Sequence, residues 1–297
     1  MSFNKSSRLA LVGTLTLATL LHISTWGATT RDDQPDSGYL NLASSPDYEP
    51  VGVLVNSWGY TGCATLVAPE WVLTAAHNLT AASSAIFKVN GVSYSSAEFV
   101  TYSSWNGDAL NGYDIALVRL STAVVGVTPA TLYAGPSEVG QTGTYVGFGF
   151  TGTGLTGWQF LDNQKRAFEN VIDGDFGNPS VLLGSDFDNP HTIADNAFGD
   201  AAPLPLEGCV APGDSGGGVF LTVGSASYLA GVISFVASTD ANGNNADYGD
   251  VSGFGRVSAF VPWITSVIPE PSVSALLVAA ALGLFLERRS RRVKKLA

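Results

Sequence analysis

The sequence predicts an all-β domain of the sandwich or barrel class. Three observations carry this. Short β-rich runs recur between Gly, Asn, Asp and Ser breaks, no long stretch keeps a helical period, and the one short helical pattern comes at the very end of the domain. Taken in order, the runs are 51–55, 64–67, 85–89, 115–120, 143–148, 218–223 and 228–235. Residues 29–49 are polar and Asp-rich and read as an irregular lead-in. Phe260, Trp263, Ile264 and Val267 recur on one helical face and predict a short C-terminal helix over 260–267. No internal repeat or low-complexity segment is present.

Both ends of the 297-residue chain read as addresses. Lys5 and Arg8 precede an apolar run over 9–23, followed by Gly27 and Ala28. This is the layout of a secretory signal peptide over residues 1–28, with an apolar run shorter than the roughly 20 residues a membrane span needs. At the other end, Pro269-Glu270-Pro271 leads into an apolar run over 273–286 and a cluster of Arg288, Arg289, Arg291, Arg292, Lys294 and Lys295. Residues 269–297 resemble the PEP-CTERM sorting signal. The resemblance implies an exported protein of a Gram-negative-type bacterium, secreted or cell-surface. It would be anchored transiently in the inner membrane by its C-terminal helix until an exosortase-type enzyme removes the tail. The basic cluster would hold its own side in the cytoplasm.

Between these ends, residues 29–268 keep 6 basic and 23 acidic residues, a formal net of −17. Such a surface repels nucleic acid and anionic membrane, so neither is an expected partner, and membrane contact is left to the end segments. About 240 residues suffice for one large β domain or two small barrels sharing a core. Cys63 and Cys209 are the only cysteines. In an oxidising compartment they suit one disulfide, although two unpaired thiols fit as well. Residues 240–247 place oxygen ligands at alternate positions, as calcium loops do, but no acid closes the loop, so it reads as solvated. Asp173, Asp175, Asp186 and Asp188 read as surface turns. No metal or cofactor is expected.

Chemistry concentrates in Gly213-Asp214-Ser215-Gly216-Gly217. A serine hydroxyl needs a base at hydrogen-bond distance and donors aimed at the oxyanion it creates. The glycines let the amides of Gly213 and Ser215 point at one spot. His77 follows Trp71-Val72-Leu73-Thr74-Ala75-Ala76, a buried strand running into small residues that leave room for an imidazole. Asp114 directly precedes the apolar run Ile115-Ala116-Leu117-Val118, where an acid is costly to bury unless something binds it. It is read as the carboxylate that orients His77.

These three blocks, in the order His, Asp, Ser, resemble the trypsin-like (chymotrypsin-fold, S1) serine proteases. Gly147-Phe148-Gly149, Gly231-Val232-Ile233-Ser234-Phe235 and Trp263-Ile264 fit minor signals of the family, and the match covers roughly residues 50–268. The resemblance implies two six-stranded antiparallel β-barrels with a short C-terminal helix and an active site in the cleft between them. It implies peptide hydrolysis with Ser215 as nucleophile, His77 as base, Asp114 as orienter, and Gly213 and Ser215 as oxyanion donors. It places Ser234 in the strand that binds substrate backbone, Cys209 at the floor of the specificity pocket, and Val236 and Ser252 on its walls. Two departures stand out. Asn78 occupies a position where animal members carry a disulfide cysteine. The lead-in also offers no obvious activation terminus to pair with Asp214. The nucleophile elbow of α/β-hydrolases is excluded because no His follows Ser215. A subtilisin-type enzyme needs its Asp before its His. A catalytically silent, protease-like surface binding protein is the alternative from another class.

Overall fold

The computed structural model describes residues 28–268, except 136, 179, 200, 240, 241, 243 and 244. The sorting signal and all of the leader but Ala28 lie outside the described residues, as does part of the 240–247 loop. Among the described residues no helix is long and apolar enough to cross a membrane.

The chain enters as β1 (Ala28–Thr30) and α1 (Asp36–Ala43). A first barrel follows, built from β2 (Val51–Asn56), β3 (Thr61–Ala68), β4 (Trp71–Thr74), β5 (Ala85–Val89), β6 (Val92–Thr101) and β7 (Ala116–Leu120). It closes in the order β2-β3-β4-β7-β6-β5, which removes every sheet edge. In β5 the alternation is visible: Ala85, Phe87 and Val89 point inward beside Leu54, Leu66, Val72 and Val118, while Ile86 and Lys88 face solvent.

The second half comprises β8 (Thr142–Gly147), β9 (Phe150–Thr153), β10 (Gly157–Leu161), β11 (Arg166–Val171), β12 (Gly174–Asp175), β13 (Leu182–Asp186), β14 (Gly208–Cys209), β15 (Gly218–Val223), β16 (Ala226–Ala237) and β17 (Val251–Arg256). A seven-stranded half-barrel runs β11-β8-β15-β16-β17-β13-β12, and β10-β9-β1-β14 form a separate four-stranded sheet. The all-β expectation therefore holds, with a second half more elaborate than a simple six-stranded barrel. α2 (Val257–Val267) closes the domain and extends the expected helix at its start. One core joins the halves: Leu73, Ile115 and Leu117 of the first meet Val146, Phe220 and Val232 of the second, with Val257, Phe260 and Ile264 of α2 wedged between.

Two readings of the sequence are corrected. The lead-in is not irregular. Ala28, taken as the leader's last residue, is buried in β1, and α1 is anchored by tertiary contacts. Asp36 pairs with the fully buried Arg166 at 2.7 Å, and the Tyr39 hydroxyl donates to the Glu207 carbonyl at 2.9 Å. Of the supposed surface aspartates, Asp186 and Asp188 are buried. They serve as acceptors that tie down the segment after β13: Asp186 takes the N–H groups of Ala197 and Phe198, and Asp188 takes the Asn196 amide.

Candidate active site

Strand register brings the base and its orienter together. β4 pairs with β7 at Thr74↔Ala116, so the 3₁₀ turn Ala76–Leu79 after β4 and the residues just before β7 emerge at the same end of the barrel. His77 Nδ1 lies 2.7 Å from Asp114 Oδ2. The His77 backbone N–H donates to Asp114 Oδ1 at 2.8 Å, and the Ser234 hydroxyl donates to Oδ2 at 2.6 Å. These contacts pay for the burial of Asp114, which is 2% exposed. The network assigns the proton to Nδ1, leaving Nε2 as the free acceptor.

Ser215 lies in the turn between β14 and β15, across the cleft. Its hydroxyl donates to the Ser234 carbonyl at 3.3 Å and makes no hydrogen bond to His77. Contacts between a nucleophile and its base are commonly long without substrate and tighten when it binds. Gly213 has φ +94°, a left-handed conformation costly to any other residue. The N–H groups of Gly213 and Ser215 meet no acceptor among the described residues, whereas their neighbours Asp214 and Gly216 donate to Ala211 and Ile233. Two free amides beside a serine hydroxyl are what an oxyanion site requires.

Asp214 is turned away from the cleft and buried. It accepts from Gly149 N–H at 2.7 Å and Ala211 N–H at 2.9 Å, and burial pushes its carboxyl up to about 7. The Gly147-Phe148-Gly149 signal gains its reason here. A Cβ on Gly147 would come within 2.1 Å of an Asp214 carboxylate oxygen, and one on Gly149 within 2.6 Å of its carboxyl carbon.

Cys209 and Ser252 are buried side by side, the Ser252 hydroxyl 3.3 Å from the Cys209 sulfur, and Val236 pairs with Ser252 across β16 and β17. Cys209, Ser252 and Val236 are therefore neighbours, and none of the three carries a charge. The tentative disulfide is not present: both cysteines are free and buried. Cys63 on β3 sets its sulfur 3.2 Å from the Gly213 carbonyl, whereas Cys209 on β14 faces Ser252 and the Asp250 carbonyl. Burial pushes both thiols up.

Sequence reasoning passed over two residues here. The side-chain amide of Asn78 donates to the Ser215 carbonyl at 2.8 Å. Tyr60, in the β2–β3 hairpin, brings its hydroxyl beside Ser215. Desolvation raises that phenol, with the Ser215 hydroxyl acting against the rise, although the residue as a whole stays 44% exposed. Only the position of Asn78 next to His77 offered a signal in the sequence.

The trypsin family model matches residues 44–264 of this chain. Chymotrypsin-like elastase family member 1 of Canis lupus familiaris is 30% identical over 224 residues, covering 71% of this chain and 82% of the relative. The Bos taurus protein of the same name is 30% identical, with 72% and 80% covered. Brachyurin of Leptuca pugilator is 29% identical, with 67% and 84% covered.

Proposed function

Because the chain belongs to the trypsin family of S1-type serine proteases, we propose that it is an exported serine endopeptidase working through an acyl-enzyme on Ser215. The single observation that carries this is the Asp114 carboxylate gripping both His77 and Ser234 across the cleft from Ser215, beside two unoccupied amides. Ser215 Oγ rotates toward His77 Nε2, loses its proton to it and attacks the scissile carbonyl. His77 returns the proton to the leaving amine, and water repeats the sequence on the acyl-enzyme. Gly213 and Ser215 hold the oxyanion; each such donor contributes roughly 3–4 kcal/mol to the transition state. Once the Ser215 hydroxyl turns away, the Ser234 carbonyl is free to take a substrate N–H. No cofactor or metal takes part in this scheme.

The uncharged neighbours Cys209, Val236 and Ser252 support cleavage after small or medium uncharged residues, in keeping with the small pocket of elastases. Export is part of the proposal: a leader is removed, and the exosortase-type removal of residues 269–297 follows. β1 runs parallel to β9 with Ala28 opposite Thr151, so the start of β1 points toward Gly149, whose N–H holds Asp214. A leader cut before Ala28 delivers a free amine toward that buried carboxyl and supplies the activation terminus that the lead-in did not reveal. The silent-binder alternative has no specific support, since His77, Asp114 and Ser215 are all present. The test is a peptide-library cleavage profile of the exported protein with Ser215→Ala as control. Cleavage after Ala- or Val-like residues that vanishes in S215A is expected. Equal turnover by S215A sinks the assignment, and cleavage only after Arg or Lys sinks the pocket reading.

A further inference from the structure

We infer that Asn78 is a positioning residue for the nucleophile: its side-chain amide clamps the Ser215 carbonyl to the turn that carries His77. The inference rests on the peptidase reading above. Asn78 is 2% exposed, and its Nδ2 donates to the Ser215 carbonyl at 2.8 Å and to Thr74 Oγ1 at 3.0 Å. The Thr74 hydroxyl donates onward to the Cys63 carbonyl at 2.7 Å, and the Cys63 N–H returns to the Ser215 carbonyl at 2.8 Å. The Ser215 carbonyl thus takes two donors from the first barrel. The peptide plane is rigid, so the same grip sets the Gly216 N–H, which donates to Ile233 in the second barrel at 2.7 Å. The clamp spans the cleft at the peptide that follows the nucleophile, one Cα from the peptide that carries its oxyanion amide.

Three details single out an amide. Both groups facing Nδ2 act as acceptors toward it, so a carboxylate at 78 would set like charge density against the Ser215 carbonyl. The slot exists only because positions 62 and 216 lack side chains: a Cβ on Gly62 would lie 2.6–2.8 Å from the end of Asn78, and one on Gly216 2.9 Å from Nδ2. Lastly, Asn78 Oδ1 is buried without a partner. A residue present only to fill space would avoid that cost.

The test compares the wild type with N78A, N78D and the double variant G62C/N78C. In the last, the Cβ at 62 falls 2.8 Å from the position of Asn78 Cγ, within reach of a disulfide. N78A should lower kcat by about 10- to 100-fold, with KM within about 2-fold, and weaken a peptide aldehyde by the same factor. N78D should fall at least as far. The double variant, crosslinked or reduced, has no donor for the Ser215 carbonyl at position 78, so its kcat should stay depressed in both states, while the wild type ignores reductant. If N78A keeps wild-type kcat and aldehyde affinity, the clamp is wrong. If N78A does not fold, the double variant decides: a folded, mass-verified crosslink holds the turn without the amide donor, so wild-type kcat in that form also overturns the clamp. A wild type that neither turns over nor is labelled by a fluorophosphonate overturns the peptidase reading and the clamp with it; a wild type that turns over beside an equal N78A overturns the clamp alone.

Discussion

At the residue scale, the proposed catalysis rests on how Asp114 is held. Its oxygens take the His77 imidazole, the His77 backbone and the Ser234 hydroxyl. Asp114→Asn would present an amide donor to Nδ1 and enforce the wrong tautomer, lowering kcat on the order of 10⁴-fold. Ser234→Ala removes one uncharged donor and keeps the backbone that serves the substrate, so kcat should fall only about 10-fold. Steady-state kinetics on a chromogenic peptide checks both, and similar losses in the two variants would contradict the division of labour. His77, Asp114 and Ser215 were legible because each lies in a contiguous block with chemistry of its own. Asn78 was visible as an oddity, but its contact with Ser215 spans 137 positions and depends on the fit of Gly62 and Gly216 around it. The cysteine pair misled because parity says nothing about which side of the nucleophile turn each sulfur faces.

At the element scale, α1 shows what local pattern cannot supply. It follows Pro35 without a side-chain cap and contains Gly38, so little in its own sequence favours a helix. Its stability comes from Asp36 on Arg166, a guanidinium 1% exposed that also bonds Asp162 at 2.8 Å. Asp36→Ala leaves Arg166 paired with Asp162 but removes a charge-assisted contact, so it should destabilise the fold by about 1.5–3 kcal/mol in urea titration. A loss below about 1 kcal/mol would mean that Asp162 alone satisfies Arg166. The strands of the barrel were easier to read, since burial of alternate or successive apolar residues writes a period directly into β5, β7 and β16. β6 was missed because much of its surface is polar and exposed. The buried acids Asp186 and Asp188 were misread because their donors, backbone N–H groups for the first and the Asn196 side chain for the second, are fixed by the fold of the segment after β13.

At the scale of the whole molecule, the excess of acid shapes stability against pH. Burial pushes Asp173 and Glu207 up to about 8 and Asp250 to about 6. The folded protein therefore keeps protons that the unfolded chain releases near pH 4. Stability from these groups is complete below that pH and drains away as pH rises to about 8. Asp32 and Asp33 act oppositely: the His191 and Tyr248 contacts lower the first against its desolvation, Arg31 lowers the second, and both contributions fade in acid. The Tm should peak near pH 5 and drop by about 5 °C or more by pH 8.5; a Tm rising across that range would contradict the burial of these carboxyls. The two halves meet in one core, and that meeting sets Ser215 against His77. The most direct check of the central claim is the intact mass of the exported protein after rapid acid quench with a slowly deacylating ester of a small apolar peptide. The account predicts an added acyl mass, one per chain, mapped to Ser215 and absent from S215A. An unmodified wild type that still hydrolyses the ester, or an adduct that survives in S215A, would contradict it.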